Sequence, residues 1–171
     1  GTGAGNVAVL GAARDAGGVT ASLDLLNRVS GRRYFSRRYR DDGNGAVRLA
    51  HRVADEIVKV VKGVQGIAST RIAMIGSRNG SKDVYVCDAD GGNLVRVTRD
   101  GAVCLSPRWG DGDSSLLYTS YHRGFPDVYR LDLEANRRRR VAGYPGLNAG
   151  AALSPDGKHM ALTLSKDGNP D

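Results

Sequence analysis

The chain has 171 residues, 40% of them hydrophobic and 25% charged, with a formal charge of +7. That balance suits a soluble protein with one medium core or two small ones. No apolar run approaches the roughly 20 residues of a membrane span, and the opening GTGAGN has neither the basic nor the apolar region of a signal peptide, which leaves the compartment unassigned.

The first 40 residues alternate apolar and polar positions. Val7–Leu10 predicts a short strand, Ala13–Gly18 a turn, and Ser22–Val29 with Arg33–Tyr39 a strand pair broken at Ser30-Gly31. Asp41–Gly45 follows as a loop. Ala46–Lys62 predicts a helix whose apolar stripe is Val47, Ala50, Ala54, Ile57, Val58 and Val61, closed by Gly63. His51 lies near that stripe as a packing neighbour.

After Ile67 helical periodicity ends and short strands alternate with Gly, Asp and Asn turns. The sequence repeats on itself: Gly80, Gly124 and Gly168 align, as do Asp83, Asp127 and Asp171, a spacing of 44 residues. DVYVCD (Asp83–Asp88) falls on DVYRLD (Asp127–Asp132), and LLYTS (Leu116–Ser120) on MALTL (Met160–Leu164). A period near 44 is that of a four-stranded propeller blade. One repeat reads as an innermost strand at Ala102–Trp109, a turn at Gly110–Ser114, then strands at Ser115–Ser120, Asp127–Leu133 and Arg137–Ala142. The first repeat, beginning at Arg71–Gly76, has no innermost strand. Asp171 would open a further D-x-Y strand, so the sequence is expected to stop inside a third blade and to self-associate through open blade edges.

The expected fold class is therefore mostly β: a small α/β piece over residues 1–66, then a truncated β-propeller over 67–171 comprising two blades and part of a third. Two basic clusters, Arg32–Arg40 and Arg137–Arg140, read as solvated strand surface rather than a nucleic-acid interface. The second falls on a blade edge, where charge discourages pairing with other chains. Cys87 and Cys104 lack metal-type spacing and lie in predicted strands, as buried free thiols or a bonded pair. No metal or cofactor site is legible. His51, His122 and His159 have no serine and carboxylate in a recognisable pattern, there is no G-x-S-x-G elbow, and the turn aspartates lack the density of a calcium loop.

Several of these stretches together resemble the TolB family, the periplasmic propellers of the Tol–Pal system. RLAHRVADEIVKVVKGVQGIASTRIAMI (Arg48–Ile75) is similar to the family's helix-to-propeller junction. DVYVCDADGGNLVRVT (Asp83–Thr98) is similar to its first blade, SPRWGDGDSSLLYTS (Ser106–Ser120) to the next, and LSPDGKHMALTLSKDGNPD (Leu153–Asp171) to a later one. The resemblance runs from about Val19 to Asp171 in family order. It implies a periplasmic binding protein and not an enzyme. The implied partners are a Pal-like lipoprotein and other Tol proteins, the implied role is outer-membrane integrity and cell division, and the implied association with membrane is peripheral at most. It also implies that loops leading into innermost strands line the mouth that meets the partner, assigned here to Ser106, Pro107, Arg108, Pro145, Gly146, Leu147 and Asn148. The alternative is the propeller of a prolyl-oligopeptidase-type hydrolase whose catalytic domain lies outside this sequence.

Overall fold

The computed structural model describes residues 5–41, 45–78 and 80–170. Its elements are β1 (Asn6–Asp15), β2 (Gly18–Asn27), β3 (Arg33–Arg40), α1 (Ala46–Lys62), β4 (Arg71–Gly76), β5 (Asp83–Asp88), β6 (Val95–Arg96), β7 (Cys104–Trp109), β8 (Ser115–Ser120), β9 (Asp127–Asp132), β10 (Arg137–Ala142), β11 (Asn148–Leu153) and β12 (Met160–Leu164). Two units form, Gly1–Thr70 and Arg71–Asp171.

In the first unit, β1, β2 and β3 make an antiparallel sheet in that order. The predicted short strand Val7–Leu10 is longer than expected, and the predicted turn at 13–18 shrinks to two residues, since Asp15 pairs with Gly18. Small residues at 11–13 hid the strand from pattern reading, yet they pair in register with Ser22, Ala21 and Thr20. The Asp15 carboxylate accepts the Gly17 amide at 2.8 Å and fixes the turn.

Helix α1 packs on this sheet with a different face from the one expected. Leu49 and Val53 are buried, and Val53, Ile57 and Val60 pack against Leu23, Leu25, Phe35 and Tyr39. Of the predicted stripe, Ile57 does face the sheet and Val58 is half-buried, but Val47 and Val61 are 53% and 43% exposed, and Ala50 and Ala54 also face out. Both stripes obey three- and four-residue spacing, so period alone could not choose between them. The buried Asp55 helps to fix the rotation. Its carboxylate accepts the amides of Ala68 and Ser69 at 2.7 and 2.9 Å, tying the helix to the segment after it. Burial would raise its pKa, but these hydrogen bonds outweigh burial and hold it below the usual carboxylate value. Gly66 is required here, because a Cβ would lie 2.6 Å from the Asp55 Cα.

The second unit repeats one supersecondary pattern. Its sheets run β4-β5-β6, then β7-β8-β9-β10 reversed from edge to edge, then β11-β12, all antiparallel. The first therefore lacks an innermost strand, as expected, and the four-stranded second is a complete blade. Gly80, Gly124 and Gly168 all have positive φ, at 76°, 88° and 111°, so the aligned glycines serve one left-handed turn. Asp171, expected to begin a further strand, lies outside the described residues. Val84, Val86, Leu116, Tyr118, Tyr129 and Leu131 form the core between the first two sheets, and Leu117, Val128, Ala142 and Ala151 the core between the second and third. An ion pair to a buried aspartate also recurs with the period: Asp83 with Arg96 at 2.7 Å, and Asp127 with Arg140 at 3.3 Å.

Candidate partner-binding face

Strand register puts one set of loops together. Cys104 pairs with Ser120, Ser120 with Asp127, and Ala142 with Val128. The start of the innermost strand, the end of the second, the start of the third and the end of the fourth thus share one end of the blade. The loops 77–82, 97–103, 121–126, 143–147 and 165–170 all emerge there.

Hydrogen bonds stitch these loops together, both within the second blade and between blades. The Cys104 amide donates to the Lys82 carbonyl at 2.7 Å, and the Tyr121 amide to the Val103 carbonyl at 3.0 Å. The His122 ring lies 2.9 Å from the Asp100 carbonyl, and Asn148 Nδ2 donates to the Pro126 carbonyl at 3.2 Å. Below the loops, the Asp100 carboxylate accepts Ser120 Oγ at 2.6 Å and pairs with Arg138 at the blade edge. Burial, with Asp100 nearby, raises the Tyr118 phenol, and burial pushes the Cys104 thiol up to about 11. Cys87 and Cys104 are buried and free.

Above this buried network the surface is aromatic. Phe125 is 71% exposed, Tyr144 52% and Tyr121 38%. Phe125, Tyr144, Pro145 and Gly146, with Arg123 and Arg140, line a cleft of about 550 Å³ between loops 121–126 and 143–147. Lys166 sits over the Tyr144 ring, 5.4 Å from its centroid. Exposed aromatics beside arginine have the composition of binding anchors, in which a flat ring is covered at small entropic cost.

The expected site residues divide across this geometry. Pro145 and Gly146 are in the cleft wall, with Leu147 half-buried behind them. Asn148 is fully buried. Its side-chain oxygen accepts the Tyr144 amide at 2.9 Å, and its nitrogen donates to the carbonyls of Tyr144 and Gly146 at 2.8 and 3.3 Å. It holds the loop and offers the surface no free group. Ser106, Pro107 and Arg108 are not in a loop leading into an innermost strand; they lie within β7, on an irregularity between Leu105 and Arg108, with Ser106 at φ 51°. The 44-residue spacing places Pro145–Asn148 over Gly101–Cys104, and that offset would have located the loop correctly. Phe125, Tyr144 and Arg123 went unrecognised because each stands alone among turn residues, outside any alternating pattern. The Arg137–Arg140 cluster lies on edge strand β10 as expected, with Arg138 and Arg140 paired to acids.

Comparison with known proteins places these features in a family. Residues 58–171 match the family model described as the TolB beta propeller domain. The chain is 33% identical over 162 residues to the Tol-Pal system protein TolB of Desulfosudis oleivorans, covering 91% of this chain and 37% of that protein. It is 35% identical over 153 residues to the Tol-Pal system protein TolB of Anaeromyxobacter dehalogenans, covering 90% of this chain and 35% of that protein. Among solved structures, TolB from Acinetobacter baumannii superposes with a TM-score of 0.88 at 25% identity, over 97% of this chain and 43% of that one. The putative TolB from Agrobacterium tumefaciens shares the fold, with a TM-score of 0.53 at 17% identity over 95% of this chain and 56% of that one. The chain thus spans little more than a third of the length of the curated relatives it matches.

Proposed function

The chain belongs to the TolB β-propeller family, and from that premise we propose that it works by binding, as the propeller component of a Tol–Pal cell-envelope complex. Its partner is a Pal-like peptidoglycan-associated lipoprotein, with other Tol proteins engaged by the whole molecule, and its place is the periplasm. It supports outer-membrane integrity and cell division, and it carries out no catalysis. No helix among the described residues is long and apolar enough to cross a membrane. Residues 1–66 belong to the α/β domain that precedes the propeller.

The observation that carries this reading is the aromatic cleft on the stitched loop face, since Phe125 and Tyr144 are large side chains left uncovered beside a rigid framework. Pro145 and Gly146 make direct contact, Leu147 and Asn148 hold them in place, and Ser106, Pro107 and Arg108 extend the contact along the innermost strand. Calorimetric titration of the full-length parent protein with the soluble domain of its Pal-like lipoprotein tests the assignment. Saturable one-to-one binding is expected. Absence of binding, or peptide hydrolysis abolished by a single substitution, would replace it with the hydrolase reading.

A further inference from the structure

Charge is sorted between the two ends of the blades. On the end that carries the aromatic cleft, Arg78, Lys82, Arg99, Arg123 and Lys166 are exposed, and Asp167 is the one exposed acid in the same loops among the described residues. Three further carboxylates at this end are withdrawn from solvent and neutralised. Asp83, Asp100 and Asp127 have side chains 1%, 4% and 7% exposed, each paired with an arginine. On the opposite end the turns carry Asp90, Asp111, Asp113, Glu134 and Asp156, with Lys158 as the exposed cation. Arg130 and Arg71 reach two of these acids, Asp111 and Asp113, from the strands. The turns at the two ends therefore differ in charge, basic at the aromatic end and acidic at the other, while Arg108 and Arg137 add exposed cations on the strands near the acidic turns.

Sorting of this kind is not needed for folding, because exposed turn charges contribute little to stability. Its physical effect is on approach. A basic face attracts an acidic partner, orients it before contact and speeds association. We infer that the partner docking on this face presents an acidic surface carrying an apolar side chain, the carboxylates meeting Arg123 and Lys166 and the apolar group entering the cleft beside Phe125 and Tyr144. The inference rests on the binding function proposed above and adds the chemistry of the partner. Among the described residues neither Arg123 nor Lys166 is joined to an acid by an ion pair, and Lys166 lies over the Tyr144 ring at the cleft.

The test uses two probes on the 171-residue chain: the soluble domain of the Pal-like lipoprotein, and a synthetic glutamate-rich peptide containing one leucine. Association rates are measured at about 0.05 and 0.5 M salt, for the parent chain, for Arg123→Glu with Lys166→Glu, and for the opposite-end control Asp90→Lys with Glu134→Lys. The expected result is a rate that falls about tenfold with salt and about tenfold on reversing the basic end, and does not fall in the control. Hydrogen exchange should place the peptide on loops 121–126 and 143–147. If the peptide binds there and the lipoprotein domain does not, the acidic-partner inference stands and the lipoprotein assignment falls. If the lipoprotein binds with rates indifferent to salt and to both reversals, the assignment stands and this inference is overturned. Peptide protection elsewhere, or none, also overturns it.

Discussion

Cys104 and Asn148 occupy the same place in successive blades. They stand 44 positions apart, each begins an innermost strand, and each is 0% exposed. Cys104 meets the previous blade through its backbone amide, whereas Asn148 does so through its side chain. Asn148 is the more exacting of the two. Its amide satisfies the Tyr144 amide and reaches three carbonyls, and nothing isosteric and apolar could replace it. Asn148→Leu is expected to destabilise the chain by about 2–3 kcal/mol, because it leaves several polar groups in the interior unpaired. Chemical denaturation checks the magnitude, and faster hydrogen exchange confined to residues 143–148 checks the cause.

Alkaline pH should unfold this chain earlier than its acids and arginines would suggest. The folded state holds the Cys104 proton up to about 11, against an ordinary value of 9.0. Unfolded chains therefore release it first, and stability falls as pH rises between those values, by up to about 3 kcal/mol. The raised phenols of Tyr118 and Tyr129, both shifted first by burial, extend the loss to higher pH. Melting temperatures from pH 7 to 11 should decline from about pH 9, and Cys104→Ala should move the onset upward. An onset unchanged in that variant would assign the decline to the tyrosines.

The helix offers a paired comparison. Leu49→Ala should cost about 2–4 kcal/mol through the cavity it opens against the sheet, while Val61→Ala, on the face first read as buried, should cost less than about 0.5 kcal/mol. Comparable losses at the two positions in urea titrations would restore the original stripe.

Asp55 should act as a clamp on the segment 66–69. Asp55→Ala removes the acceptor of two backbone amides and should cost about 1–3 kcal/mol. Because the folded carboxylate is held below its ordinary value, its contribution is full above about pH 4 and fades as the solution is acidified. The difference in stability between parent and variant should therefore shrink on acidification, which paired denaturation curves would show.

At the binding face, Phe125→Ala and Tyr144→Ala should each weaken a lipoprotein complex about tenfold or more with little change in melting temperature, as expected of exposed anchors. Arg108→Glu, on the strand and not in the loops, tests whether contact extends down β7. Affinity unaltered in that variant, with the fold intact, would confine the interface to the loop end.

Most of the architecture was legible because it is periodic. The repeat of Asp83 at Asp127 and of Gly80 at Gly124 marks strand starts and left-handed turns that the structure places as expected. Helix α1 was legible in extent but not in rotation, since Val47 and Leu49 are equally apolar and only the sheet and the Asp55 clamp distinguish them. Of the expected contact residues, Pro145 and Gly146 fall in a loop where the repeat puts one, whereas Ser106–Arg108 fall within strand β7 and not in the loop before it. Phe125 and the separation of charge were invisible because they depend on which turns share an end of the blade. That is a matter of strand direction summed over the whole unit, and no local window contains it.

The joints between blades have a consequence for how such a chain can change its length. At Lys82 and Pro126 the earlier blade supplies a main-chain carbonyl, and the later segment brings the donor: an amide at Cys104, a carboxamide at Asn148. Carbonyls are present whatever the side chain. An in-register duplication of 44 residues would therefore copy a blade together with its own fastener, and the blade before it would need no matching substitution to receive the new one.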